Sequence, residues 1–503
     1  MTTEQTVDAP YRAERPTDRQ PRESGWSTVR MWAWRLRWVI GAGAMLVFAL
    51  LVVLWARTRP GYDPFGWLVW GHLTVHWRLD TNGAPSWKPL PFIFDVPYAL
   101  IGHRALWLWM VTSVAISLAG PVFAARIAYR LTGAGPERRW VGWIAGAFAG
   151  ALVLGIQQYP HFILSSQSDT MTVSLCLAWI DCHLYGRPRW AFVCAVLASM
   201  SRPELWPLIG LYAIWQWRTV PAVRPWLYIG LALIPIFWFG IPALTSKSWF
   251  TAGDIALKSP RALHQSKILG TIDRFGDLQE TAAYVLAVLA LGVAFLRREW
   301  FTLLIAAGAL LYVIVEVAFV LHGWPGVPRY LFEPAGVVAV LAGVGVGKIL
   351  LEGPALVDRL APKVSTALTS GVAVLIIALF AVWLLPTAHA RLQWERKDLT
   401  HERLRTKFID HLPGLIARLG GTKHLFACGQ PTTSIQYQSV LAWDLGSNTG
   451  ELFWTPHLGK TQPRPVVLFQ PTVHAWKVET IDMKPSMRAS CQGLNVVSRV
   501  LPG

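Results

Sequence analysis

The stretch "RPGYDPFGWLVWGH", Arg59 to His72, sets an acidic residue among aromatics and prolines immediately after an apolar run, Trp38 to Trp55. That run is too long for a signal-peptide core and lacks a small-residue cleavage site, so it is expected to remain as a spanning helix. Asp63 then falls at the far rim of a bilayer. Everything around it has to be read as a membrane protein.

Composition agrees. Of 503 residues, 53% are hydrophobic and only 15% charged, 28 are tryptophan, and the mean hydropathy is +0.38. These values exclude an ordinary soluble domain. The formal charge of +17 does not imply nucleic acid here, because basic residues of a membrane chain first have to be assigned to sides.

Further apolar runs lie near Ala105–Ala125, Trp140–Ile156, Thr170–Leu184, Trp190–Met200, Leu205–Trp217, Trp226–Leu244, Ala282–Leu296, Phe301–Leu321, Phe332–Leu350 and Ala367–Leu385. With the first run they predict an all-α polytopic protein of about 11 transmembrane helices, several of them short. Arg126, Arg130, Arg138, Arg139, Arg187, Arg189, Arg218, Arg224, Arg297 and Arg298 then alternate onto the side of the basic N-terminal tail, residues 1–37, which is expected to be cytoplasmic and disordered. Lys348, Arg359 and Lys363 agree. The other side receives loops 57–104 and 246–280, the turn around Trp324–Tyr330, and everything after Pro386. Those segments are basic too, through Arg78, Lys88, Lys258, Arg261, Lys267 and Arg329, and charge asymmetry alone does not explain them.

Residues 38–387 thus read as the transmembrane domain, and 388–503 as a small extracytoplasmic α/β domain. In the latter, "HLFACG" (His424–Gly429) and "PVVLFQP" (Pro465–Pro471) look like strands, and His401–Leu419 and Thr432–Trp443 like amphipathic helices. Cys428 and Cys491 either pair in an oxidising compartment or stay free, since spacing fixes no geometry. Cys176, Cys182 and Cys194 read as small apolar residues in or beside spans.

In the first outer loop, Asp63 before Pro64 reads either as a helix N-cap or as a carboxylate able to take a proton from a hydroxyl. Phe65, Leu68, Trp70, Leu73 and Trp77 have the spacing of a helix lying along the membrane surface. Asp80, ahead of Asn82-Gly83, is a turn residue, and Asp95 is the third carboxylate of the loop. In "ASMSRPELWPL", Arg202, Pro203 and Glu204 separate two short apolar helices, so the pair rises part-way and returns with a charged turn facing a cavity or forming an ion pair. Arg329 and Tyr330 stand at the outer start of the tenth span, and Glu316 inside the ninth needs a partner or a cavity. "AGVGVGK" (Ala342–Lys348) lacks the features of a phosphate loop, so its glycines are expected to serve helix packing. His72 and His76 are four apart but lack a third metal ligand in the sequence around them. No nucleotide fold precedes the spans, and no stripe of buried acids suggests an ion-coupled pump.

The succession "GYDPFGW", "SWKPLP", "SQSD" (Ser166–Asp169), "SRPELW" and "PRYLFEP", followed by an outer domain, resembles the GT-C class of integral-membrane glycosyltransferases, closest to its actinobacterial members. The resemblance covers most of Trp38–Pro386 and implies a bacterial plasma-membrane enzyme. Such an enzyme moves a sugar from a polyprenyl-phosphate donor to a cell-envelope glycan or glycolipid acceptor on the extracytoplasmic face. It implies Asp63 as catalytic base, with Arg202, Glu204, Arg329, Tyr330 and Lys88 lining the donor-phosphate cavity. No second acid adjoins Asp63, so no metal ligand is assigned, although a divalent cation stays open as cofactor. The competing expectations are a carrier or flippase for a lipid-linked saccharide and a non-catalytic envelope scaffold.

Overall fold

The computed structural model describes residues 25–83, 85–259, 261–263, 266–360, 366–454 and 465–501. Most of the expected tail, residues 1–24, and Lys363 lie outside them. The helices, in chain order, are α1 (Gly25–Ala56), α2 (Tyr62–Val75), α3 (Pro89–Ala99), α4 (Ala105–Thr132), α5 (Arg139–Leu154), α6 (Tyr159–Leu164) and α7 (Ser168–Leu184). There follow α8 (Pro188–Ser199), α9 (Trp206–Thr219), α10 (Arg224–Pro235), α11 (Ile241–Thr245), α12 (Thr251–Leu257), α13 (Lys267–Gly276), α14 (Thr281–Arg297), α15 (Trp300–His322), α16 (Phe332–Leu360) and α17 (Thr366–Arg418).

All eleven apolar runs are helical. Among the described residues, six helical stretches have the length and apolarity of a full crossing: α1, α4, α10–α11, α15, α16 and α17. The pair α13–α14, bent by 93°, would make a seventh. The chain is a multi-pass membrane protein, with fewer unaided crossings than the expected eleven. The helices α5, α7, α8 and α9 have 16, 17, 12 and 14 residues. All are shorter than the roughly 20 a full crossing needs. Helix α1 also begins inside the segment expected to be a disordered tail.

Helix α16 is the centre of the bundle, with 89% of its apolar window buried. Its glycines permit this. A Cβ on Gly343 would come 2.5 Å from the Ala145 carbonyl oxygen of α5, and one on Gly345 2.2 Å from that of Leu286 in α14. On Gly347 it would meet Thr132 of α4 at 2.5 Å. Three helices therefore approach α16 at backbone distance, as close packing without a hydrophobic drive between helices requires. The "AGVGVGK" run is a packing surface. The outer face of α17 from Val372 to Leu385, in contrast, is apolar and exposed, as a lipid-facing surface would be.

Helix α17 continues unbroken for 53 residues through Pro386, so no chain break separates the apolar bundle from the C-terminal segment. Beyond it lie α18 (Gly421–Cys428), β1 (Gln430–Thr433), α19 (Ile435–Leu445), β2 (Phe453–Trp454), β3 (Val466–Pro471), β4 (Ala475–Ile481) and β5 (Val496–Arg499). The sheet order is β2-β1-β3-β4-β5, with β1 parallel to both neighbours and the last two pairings antiparallel. "PVVLFQP" is a strand as expected, whereas "HLFACG" is mostly helix α18: Leu425 and Cys428, three apart, are its buried positions, a helical rather than an alternating pattern. The sheet packs on the C-terminal turns of α17 through Phe408, Leu412 and Leu415 against Trp476, whose Nε1 donates to the Phe408 carbonyl at 3.0 Å. Cys428 and Cys491 form a disulfide with their Cα atoms 5.7 Å apart.

Candidate functional site

Helix α2 is buried rather than laid on a surface. Phe65, Trp67, Leu68, Val69, Trp70 and Leu73 are all within the core, between α3 and α19, and of the expected surface-facing residues only Trp77 is open. Asp63 is not the N-cap. Gly61 holds that position, and Asp63 lies in the first helical turn. The reason is a close backbone approach: Gly61 N donates to the Ser165 carbonyl at 2.9 Å, and a Cβ there would come 2.7 Å from Gln167 Nε2. This contact seats the start of α2 on the "SSQSD" segment that opens α7.

Two further contacts bring in the other loops. Leu90 N donates to the Met200 carbonyl at 3.0 Å, joining the Lys88 turn to the α8–α9 turn. Arg202 Nη2 donates to the Arg329 carbonyl at 3.4 Å, joining that turn to the 3-10 turn Pro328–Leu331 ahead of α16. Four segments thus converge, and Asp63, Lys88, Arg202, Glu204, Arg329 and Tyr330 stand together around one residue, Asp169.

Asp169 has no exposed surface. Its Oδ1 is hydrogen-bonded by Arg202 and by Lys88 Nζ at 3.4 Å, and Arg329 Nη1 lies 3.9 Å from its Oδ2. Lys88 also donates to Ser168 Oγ at 3.0 Å and sits 5.6 Å from the Trp67 ring centroid. The Arg202 guanidinium covers Tyr330 at 3.9 Å, and Arg329 lies over Phe162 at 5.7 Å. Arg329 also reaches Asp63, whose side chain keeps 20% of its surface. Three cations therefore face Asp63 and Asp169, with Glu204 3.9 Å behind Arg202. Burial lowers the Lys88 ammonium to about 8; Asp169 opposes the shift, while Arg202 and Arg329 add to it.

Beneath this layer Glu204, Glu316 and Glu333 are buried, and Tyr312 Oη donates to Glu333 at 3.1 Å. Glu316, for which a partner or a cavity was expected, is fully buried in this layer, and neither of its oxygens has a hydrogen-bond partner among the described residues. Asp95 is fully buried below α2, neither of its oxygens has a hydrogen-bond partner among the described residues, and burial pushes its carboxyl well above the usual carboxylate range. Asp80 accepts from Asn82 N at 2.8 Å as a turn residue. The rings of His72 and His76 lie 4.4 Å apart, and neither belongs to a three-ligand group among the described residues.

Other cations of these segments have a structural task. Arg403 donates to the Ala56 and Trp55 carbonyls, Arg405 to Pro60, and Arg274 to Pro325 and Gly326, while Arg59 pairs with Asp410 at 2.7 Å. They satisfy carbonyls at helix ends and turns and tie α17 to the α1–α2 link. Asp169 and Ser168 are the site residues that sequence reading passed over, although "SQSD" was conspicuous as a polar run at the head of an apolar helix.

Fold and site define a multi-pass membrane protein with a buried cluster of paired basic and acidic side chains and a partly exposed carboxylate at its edge. No protein-family model and no curated protein matches the chain. Among solved structures it is similar to ArnT from Cupriavidus metallidurans in the apo state, with TM-score 0.45 and 14% identity over 92% of this chain and 97% of that one. It is also similar to that protein bound to undecaprenyl phosphate, with TM-score 0.40 and 14% identity over 93% of this chain and 96% of that one. At that level of likeness no role passes from that protein to this chain.

Proposed function

We propose that the chain is a GT-C-type membrane glycosyltransferase that moves a sugar from a polyprenyl-phosphate donor to a hydroxyl of a cell-envelope glycan or glycolipid. The observation that carries this reading is the convergence of Lys88, Arg202 and Arg329 on one buried carboxylate, Asp169, beside the partly exposed carboxylate of Asp63. A donor phosphate entering the pocket meets three cations and two aromatic faces. The acceptor oxygen attacks the anomeric carbon, the bond from that carbon to the phosphate oxygen breaks, and polyprenyl phosphate leaves with the electron pair. Phosphate is a good leaving group, and the cations stabilise its developing charge. Asp63 takes the hydroxyl proton. Arg329, poised between Asp63 and Asp169, turns towards the incoming phosphate and frees the carboxylate. In this reading the N-terminus is cytoplasmic, and the site and the sheet domain face outward.

The test is transfer by purified protein in nanodiscs from a panel of radiolabelled polyprenyl-phosphate sugars to an envelope extract, for wild type and Asp63→Asn. Transfer by wild type that collapses in a folded, donor-binding mutant supports the reading. Equal transfer by both proteins removes Asp63 from the mechanism.

A further inference from the structure

Away from the pocket, His161 of α6 meets the acidic stripe of α17. His161 Nδ1 and Asp398 Oδ2 are 2.7 Å apart across 237 residues of sequence. One ligand atom each from His161, Asp398 and Glu402 lies within 4.8 Å of the other two. Asp398 and Glu402 are four apart and share a helix face, and Glu395, one turn earlier, lies on the same stripe. Those three acids are half-buried, while Trp394, Arg396 and Lys397 beside them are exposed. An ordinary latch needs one acid for one imidazole. Here three carboxylates face a single histidine, and Arg405 pairs with Glu402 at 2.9 Å.

We propose that His161, Asp398 and Glu402 form a divalent-cation site, taking a first-row transition-metal ion such as zinc or manganese, that braces α17 against α6. The donor set of one imidazole nitrogen and two carboxylate oxygens suits such ions. Ligands at about 2.0–2.2 Å from a metal stand roughly 3.0–3.4 Å from each other, so the His161–Asp398 pair has only to open by a few tenths of an ångström once Nδ1 has lost its proton. The ring is already oriented, packed edge-on to Phe162 at 5.3 Å and near Trp394 at 6.2 Å. The His161 and Asp398 side chains keep 25% and 19% of their surface, enough for an ion to enter from water and for waters to complete its shell. The brace adjoins the pocket without belonging to it: Phe162 lies under Arg329, and Arg405 hydrogen-bonds the Pro60 carbonyl at 2.9 Å.

The experiment strips full-length protein in detergent with a chelator, adds zinc or manganese, removes excess, and measures bound metal by elemental mass spectrometry beside the melting temperature. Wild type should retain about one equivalent and melt several degrees higher than the stripped protein. Glu402→Gln and His161→Gln should fall to background retention while still folding, and His72→Ala, at a histidine pair elsewhere, should retain metal as wild type does. If wild type holds no more metal than His161→Gln and the ion leaves its melting temperature unchanged, the cluster is a plain ion pair and the proposal is overturned. The readout is bound metal, so the result stands apart from whether sugar transfer is observed.

Discussion

Both terminal nitrogens of Arg329 lie 3.3 Å from one oxygen of Asp63, Oδ2. The other oxygen is left outside the pair, and the side chain as a whole keeps 20% of its surface. Arg329 therefore orients the carboxylate without covering it, and both residues hang from segments fixed by backbone contacts rather than from free loops.

Asp63→Asn preserves the shape and an oxygen for Arg329 but removes the proton acceptor. Transfer should drop by about 10²–10⁴-fold with donor binding retained, the usual worth of a positioned base. A lipid-linked saccharide carrier has no use for a base, so unchanged turnover in this variant would favour that alternative. Arg329→Lys should not preserve wild-type behaviour, because a point charge cannot meet the phosphate with two parallel hydrogen bonds as a planar fork does. Its signature is a raised donor KM.

Lys88 gives the reaction an alkaline limit. Its ammonium, lowered by burial from 10.5 to about 8, is half deprotonated at that pH, and the pocket then loses one of its three positive charges. Donor affinity should fall as pH rises through about 8, and Lys88→Arg should carry the limit upward. Stability moves the other way. Between about 8 and 10.5 the unfolded chain binds more protons at this position than the native one, so the contribution of Lys88 to stability rises with pH in that window. Loss of donor binding above pH 8 without loss of fold, read by transfer and circular dichroism on one sample, checks both signs.

Residue types carried much of this in the sequence. The runs that became helices, the charged turn at Arg202–Glu204 and the Arg329–Tyr330 turn all stand out because ionisable groups beside apolar helices are costly unless used. Their convergence on Asp169 was hidden: the contacts join positions such as Gly61 and Ser165 or Leu90 and Met200, far apart in the chain. The true start of α2 was hidden for the same reason, since Asp63-Pro64 has every local feature of a cap and tertiary contact at Gly61 overrode it. The unbroken course of α17 through Pro386 and the His161–Asp398 contact also depend on partners that periodicity does not show. The basic residues of these loops were legible as an anomaly; among them Lys88 and Arg329 join the Asp169 cluster and Lys267 donates to the Leu321 carbonyl at 3.3 Å.

The disulfide closes a loop of 63 residues around β1, α19, β3 and β4. Loop-closure entropy predicts a loss of about 4 kcal/mol on Cys428→Ser with Cys491→Ser. The C-terminal sheet domain should melt earlier by differential scanning calorimetry, while the apolar bundle, built on α16, holds. Reductant should reproduce the effect in wild type and do nothing to the double variant.

Asp169 is the residue whose loss should be felt throughout the pocket. It is fully buried, and Lys88, Arg202 and Arg329 all lean on it, so Asp169→Asn leaves three cations facing one another in a low dielectric without the carboxylate they share. Removing one partner of a buried ion pair typically costs about 3–5 kcal/mol. The variant should therefore express poorly and denature early in detergent, and transfer should be lost along with the fold. Asp63→Asn, at the exposed edge, should lose transfer alone. The double variant Asp169→Asn with Lys88→Met removes one acid and one base together, and it should recover stability relative to Asp169→Asn without recovering transfer. That recovery is a coupling between the two positions and is measured by a double-mutant cycle on the melting free energy. Additive losses would mean that Asp169 acts through its packing at the head of α7 rather than through the charge it balances.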